Sequence, residues 1–264
     1  MTVSVLIPNR NSFEAIQLCI ESVRHYTRHP HKIVVLDDTS QNDVDLAYLR
    51  DCQRKGWLEL IENTGPALTH GGALNVLLNE VCDTRYAFVL DCDVQILGHL
   101  WLAEMMALIE GHADILGMCD FRHKMINQEC YIAGFYKMWF GLLNMHAYRD
   151  GMQVDWRYAQ TTLEAEPFKS MFMCLDGVVK PEGFNYNLAK MDPGSKLWVK
   201  VRYDNPRGYR VLHVPRAIAA RYRHFGHISM ISIPDPSHSD QVRINRETRF
   251  TKIREELRKL RCQN

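Results

Sequence analysis

Asp91 and Asp93 follow directly on the run Tyr86-Ala87-Phe88-Val89-Leu90, with Cys92 between them. A short continuous apolar run suits a strand buried on both faces, as in a parallel sheet. In an extended chain the two aspartates point to one side and Cys92 to the other. Two carboxylates converging at the end of a buried strand need compensation. A divalent cation with a phosphate on its far side would supply it, because hard Mg²⁺ or Mn²⁺ prefers oxygen ligands. The plainer alternative is a strand end whose acids face water.

Other polar residues fall at comparable places. Asn9, Arg10, Asn11 and Ser12 follow the β-branched strand Val3 to Ile7 and Pro8, and Asp37 and Asp38 follow Lys32-Ile33-Val34-Val35-Leu36. Ser12 is read as the N-cap of a helix over Phe13 to Tyr26, with Ile16, Ile20 and Val23 at helical spacing. Asp43 to Gln53 reads as a helix, Leu58 to Ile61 as a strand, and Gly71-Gly72-Ala73-Leu74-Asn75 as the opening of a helix reaching about Cys82. This alternation implies an α/β fold with a mostly parallel sheet, right-handed crossovers and flanking helices. Ligands of such sheets bind beyond the carboxyl ends of the strands. Asn9 and Arg10, Asp37 and Asp38, and Asp91 and Asp93 should therefore meet in one crevice.

The second half is less regular. Leu100 to Ile109 reads as a helix, Asp114 to Met118 as a strand, Lys196 to Arg202 as a helix and Gly208 to Pro215 as a strand. Residues 130 to 148, with Tyr131, Phe135, Tyr136, Trp139 and Phe140, build either core or an aromatic platform for a sugar acceptor. Asp192 precedes Pro193-Gly194-Ser195 as an N-cap or a catalytic carboxylate, roles that are compatible. From Asp240 onward the chain is basic and reads as helical, with Phe250, Ile253, Leu257 and Leu260 on one stripe. That stripe could pack on its own domain, form a dimer seam, or belong to a helix lying on an anionic membrane and presenting a lipid-linked acceptor.

Composition narrows the class. The chain has 264 residues with a formal net charge of +1, which argues against a dedicated nucleic-acid binder. Its eight cysteines show no Cys-x-x-Cys spacing and read as reduced thiols. With no basic leader region before the first strand and no long apolar run, a cytoplasmic location is expected, with the inner face of the membrane as a variant. No Gly-x-Gly-x-x-Gly follows the first strand and no Walker A motif appears, so neither a dinucleotide-dependent enzyme nor a P-loop NTPase is expected. The histidines His25, His29 and His31 read as solvated surface.

The motifs taken together resemble a GT-A glycosyltransferase of the family-2 type. The resembling pieces are Val5-Leu6-Ile7-Pro8-Asn9-Arg10-Asn11, Ile33 to Ser40, Gly71 to Asn75 and Phe88 to Asp93, in the family's order. Gly208 to Pro215 and His224-x-Gly226-x-x-Ser229 resemble its late segments, so the likeness spans roughly residues 3 to 230. It implies one GT-A domain over 1–240, with a nucleotide-binding half to about 98, an acceptor half from about 99, and a basic helix over 241–264. It implies that Pro8, Asn9, Arg10, Asp37, Asp38, Gly71, Asn75, Asp91 and Cys92 line the donor site, and that Asp91, Asp93 and His224 hold Mn²⁺ or Mg²⁺. The pair His224 and His227 beside Gly226 supports that role; a lone histidine would read as a satisfied core residue. The family's Glu-Asp pair before its late helix is absent, and Met191-Asp192 stands nearest, so Asp192 is taken as the catalytic base with Asp176 and Asp155 in reserve. The implied reaction moves a sugar from a nucleotide-diphosphate sugar, a UDP sugar first with GDP and dTDP sugars as alternatives, to a hydroxyl acceptor with inversion. A sugar nucleotidyltransferase is the alternative enzyme, but Pro8 to Ser12 lacks its glycine-rich loop. A catalytically degenerate binding protein is the non-enzyme alternative. Peripheral membrane contact and a homodimer stay open.

Overall fold

The computed structural model describes residues 1–41, 43–119, 122–126, 129–133, 136–157, 159–161, 189–191, 194, 196–197, 200–201, 207–226 and 240–263. The first half alternates as expected. Strand β1 (Val3–Asn9) leads to helix α1 (Glu14–Tyr26), β2 (His31–Asp37), α2 (Asp43–Arg54), β3 (Glu59–Glu62), α3 (Thr69–Asn75) and β4 (Tyr86–Leu90). Helix α3 continues as a π-helical stretch, Val76–Val81. After β5 (Val94–Ile96) and α4 (Trp101–His112) come β6 (Ile115–Cys119), β7 (Arg122–Ile126), β8 (Glu129–Ala133) and β9 (Tyr136–Asn144). A short helical segment, α5 (Met145–Ala147), then precedes β10 (Ala159–Thr161) and β11 (Ala189–Met191). Strand β12 (Val211–His213), α6 (Arg216–Ala219), β13 (Tyr222–His224) and α7 (Asp240–Arg261) follow.

The main sheet has seven strands in the order β12-β6-β9-β4-β1-β2-β3. Strands β4, β1, β2 and β3 are parallel, while β9 runs antiparallel between β4 and β6. The sheet is therefore mixed in its second half. The aromatic stretch supplies that antiparallel strand, with Phe140 fully buried. A smaller four-stranded sheet, β10-β11-β8-β7, lies in the second half.

Side-chain alternation splits the core in two. Val3, Val5, Ile7, Ile33, Val35, Tyr86, Phe88 and Leu90 face α1 and α4. Leu6, Val34, Leu36, Ala87 and Val89 face α3 and its π-helical continuation. Both faces of the parallel strands are covered, which is why these strands read as unbroken apolar runs. The chain proceeds from β1 outward through β2 and β3, then returns to place β4 on the other side of β1. That reversal opens a crevice between the carboxyl ends of β1 and β4. Pro8 lies beyond the last β1–β4 pair, Leu6 with Val89, so its missing N–H interrupts no bond there.

The stripe on α7 is buried against α1: Phe250, Ile253, Leu257 and Leu260 pack with Ala15 and Leu18, and the Phe250 ring meets Phe13 edge-on. Several of the basic residues on α7 are paired within the chain, Arg254 with Glu14 at 2.8 Å and Arg261 with Glu21 at 2.7 Å. Among the described residues no helix is long and apolar enough to cross a membrane. In the region expected to be helical at Lys196 to Arg202, the described residues Gly194, Lys196, Leu197, Lys200 and Val201 are helical, with Leu197 and Val201 buried. The strand expected over Gly208 to Pro215 is confined to β12.

Candidate functional site

Strand β4 ends at Leu90, and residues 91–93 turn instead of staying extended, with the Val94 amide donating to the Asp91 carbonyl at 3.2 Å. The two aspartates thus converge through a turn and not through strand alternation. The turn leads into β5, which pairs antiparallel with β13 so that Val94 faces His224. The Phe225 amide donates to the Asp93 carbonyl at 3.0 Å, and Gly226 adopts a φ of 70°, the left-handed region that glycine tolerates. His224 Nε2 accordingly lies 3.1 Å from Asp93 Oδ1 and 3.8 Å from Asp91 Oδ2. One ligand atom from each of Asp91, Asp93 and His224 falls within 4.8 Å of the others. The hairpin carrying His224 is braced by α7: Arg223 pairs with Glu256 at 3.4 Å, Gln95 donates to Glu256 at 3.3 Å, and Arg249 donates to the Gly226 carbonyl.

A second histidine stands on the other side of Asp91. His70 Nε2 lies 3.8 Å from Asp91 Oδ1, with its side chain partly open to solvent. Nothing in the sequence marks His70, because a single histidine ahead of two glycines carries no spacing signal. Its position depends on Asp38, whose Oδ1 accepts from the Leu68 amide and from Asn63 Nδ2, each at 2.8 Å. Thr69 between them has a φ of 66°.

The loops after β1 and β2 are tied into one unit. Asn9 Nδ2 donates to Asp37 Oδ1 at 2.7 Å, and Ser40 reaches both Asp37 oxygens, through its hydroxyl at 2.6 Å and its amide at 3.0 Å. Asp37 is 2% exposed and both its oxygens are engaged within the protein. It ties the loops after β1 and β2 together. Arg10 stands at the rim, with Nη1 3.9 Å from Asp38 Oδ2. Ser12 does not cap α1; its hydroxyl donates to Asn9 Oδ1. The Phe13 amide donates instead to Asp45 Oδ2 at 2.9 Å, and burial pushes the Asp45 carboxyl up to about 6. Asn11, Phe13 and Thr39, like Thr69, hold positive φ values in these loops. Such backbone strain costs on the order of 1–3 kcal/mol per residue and concentrates at functional sites.

Gly71 and Asn75 fasten α3 to the second half of the chain. A Cβ on Gly71 would lie 2.1 Å from the Trp156 carbonyl oxygen, so only glycine admits that backbone. Asn75 donates to Asp155 Oδ1 at 2.6 Å and accepts from the Trp156 amide at 2.8 Å. Its side chain is thereby occupied in joining the two halves. Asp155 is held well below the usual carboxylate range, first by the Arg157 guanidinium and then by Asn75 and Lys196. A carboxylate so stabilised is a weak proton acceptor.

Cys92 does not join the crevice. It is buried in the core, where desolvation and then Asp93 and Asp91 push its thiol well above its ordinary value. Cys19 behaves in the same way, with Sγ 3.6 Å from the Asp91 carbonyl. Asp192, Asp176 and His227 lie outside the described residues.

The profile described as glycosyl transferase family 2 matches residues 4–160. Among curated proteins none matches significantly. Similar solved structures include S. aureus TarS, at 18% identity and a TM-score of 0.43, covering 57% of this chain and 29% of that one. Another is the mannosyltransferase PcManGT from Pyrobaculum calidifontis in complex with GDP-Man and Mn²⁺, at 17% and 0.44, covering 56% and 46%. A third is S. aureus TarS 1-349 in complex with UDP-GlcNAc, at 15% and 0.46, covering 94% and 72%. The chain spans less than half the length of the first two.

Proposed function

The chain belongs to glycosyl transferase family 2, and from that premise we propose that it moves a sugar from a nucleotide-diphosphate sugar to a hydroxyl acceptor, with inversion, at a divalent-cation site formed by Asp91, Asp93 and His224. The observation that carries this is the convergence of those three ligand atoms within 4.8 Å, at the turn that follows β4. Residues 1–98 hold the donor, residues 99–240 receive the acceptor, and α7 braces the two from behind.

The donor set fits the cation. Two carboxylates meet the demand of Mn²⁺ or Mg²⁺ for oxygen, and the imidazole favours Mn²⁺ of the two. A cation held there would act as a Lewis acid for the charge developing on the leaving diphosphate. The chain's own residues do the rest. Asp38 binds Leu68 and Asn63, fixing the segment that carries His70 beside Asp91. Arg10 sets a positive charge at the rim of the nucleotide crevice, next to Asp38. Asp37, Asn9 and Ser40 keep the rim loops in place before the donor arrives, which lowers the ordering cost of binding. Asp192 takes the proton of the acceptor hydroxyl as its oxygen attacks the anomeric carbon from the face opposite the diphosphate. The bond to the diphosphate oxygen breaks as the new glycosidic bond forms. Asp155, held deprotonated by Arg157, is the poorer candidate for that proton.

Turnover of a panel of UDP, GDP and dTDP sugars, read as release of the nucleoside diphosphate with Mn²⁺ and with EDTA, tests this reading. The expected result is release from one nucleotide class, dependent on the metal and faster with a hydroxyl acceptor. No release from any donor, or equal release in EDTA, would contradict it.

A further inference from the structure

The geometry points to Trp139 as the positioning residue of the metal site: one residue of β9 holds Asp91 through its backbone and His224 through its ring. This inference rests on the assignment of Asp91, Asp93 and His224 to a cation. The β4–β9 pairing runs out at Leu90 opposite Phe140, and the next bond of that ladder is the Asp91 amide donating to the Trp139 carbonyl at 3.0 Å. The start of the aspartate turn is thus fixed by the backbone of Trp139. Its indole lies flat on the His224 imidazole, with centroids 4.4 Å apart and planes at 17°. Tyr222, on the same strand as His224, closes on the indole edge-on at 5.4 Å and 72°.

A flat stack opposes rotation of the imidazole about its Cβ–Cγ bond, which would tip the ring out of the stacked plane. It blocks one face and keeps the ring edge, and with it Nε2, directed at Asp93. Outer-shell groups that orient metal ligands through hydrogen bonds typically contribute about 10–100-fold in metal affinity, and a stack that fixes the ring acts on the same orientation, with an effect expected at the lower end of that range. Mere core filling would not require that arrangement, since the neighbouring Phe140 already fills the core and stacks on Tyr222 at 4.0 Å.

The test titrates the folded protein with Mn²⁺ alone, following free Mn²⁺ by its paramagnetic resonance signal. W139L should weaken Mn²⁺ binding by about tenfold or more, and W139F, which restores a flat ring, should recover most of the loss. In an H224A background W139L should have no further effect, because the indole acts through His224. A purely structural role would weaken binding equally in both backgrounds, and that result overturns the inference, as does wild-type affinity in W139L. If W139L does not fold, W139M carries the same comparison. Failure of the wild-type protein to bind Mn²⁺ at all would overturn the metal assignment and this inference with it. Normal binding by both the wild type and W139L overturns the inference alone.

Discussion

Asp93→Ala should reduce sugar transfer by about 10³-fold or more, since metal stabilisation of a developing charge supplies several kcal/mol and each tenfold in rate corresponds to about 1.36 kcal/mol. Asp93 is the most enclosed of the three residues assigned to the cation, 5% exposed, and stands nearest His224 at 3.1 Å. Its removal leaves Asp91 and His224 3.8 Å apart with one carboxylate between them and the leaving group. The fold should persist, because the turn is held by backbone bonds from Val94 to Asp91 and from Phe225 to Asp93 that do not involve the side chain. Initial rates at saturating donor and Mn²⁺, alongside circular dichroism of the variant, give the comparison. Wild-type rates in a folded variant would remove Asp93 from the chemistry.

Asp192→Asn carries the second large effect. General-base catalysis contributes about 10²–10⁴-fold, so kcat should fall in that range. The donor KM should hardly change, because the groups assigned to the donor sit on the loops after β1, β2 and β4, in the other half of the chain. The acid limb of the kcat–pH profile, set by the base carboxylate, should vanish in the variant. An unchanged kcat would move the role to another carboxylate. Asp155, drawn down by Arg157, would show the opposite pattern on mutation: its pairing with Asn75 means that Asp155→Asn should affect the junction with α3 before it affects proton transfer.

The half of the fold built from local signals is legible in the sequence. β1, β2 and β4 are buried on both faces, so their apolar runs announce a parallel sheet, and the polar residues that end them, Asn9 and Arg10 after β1 and acids after β2 and β4, mark the crevice. What escaped was set by distant partners. β9 reads only as aromatic and methionine-rich, because a strand with both faces covered has no period of two; its place between β4 and β6 follows from pairing, not from its own sequence. Ser12 has the type of a cap residue, yet its hydroxyl finds Asn9. Asp37 is legible as an acid at a strand end, but its bonds to Asn9 and Ser40, which join the loops after β1 and β2, follow from the fold. Cys92 lies between two site residues in sequence but turns into the core, since the chain bends at 91–93. His70 and Trp139 reach the site only because α3 begins, and β9 passes, beside Asp91, and no spacing in the chain foretells that. The stripe on α7 was visible as a helical face, but that face alone did not distinguish a partner chain from α1, on which it packs.

On the proposed function a nucleoside diphosphate and a divalent cation share one site built on Asp91, Asp93 and His224. Thermal melting with UDP and with GDP, each with and without Mn²⁺, tests it most directly, since a ligand that binds only the folded state raises its stability. At a ligand concentration of about 100 times Kd the gain is about 2.7 kcal/mol, a shift of several degrees. One nucleotide should raise the melting temperature only when Mn²⁺ is present, and Asp93→Ala should abolish the shift. An equal shift in EDTA, or a full shift in Asp93→Ala, would contradict it.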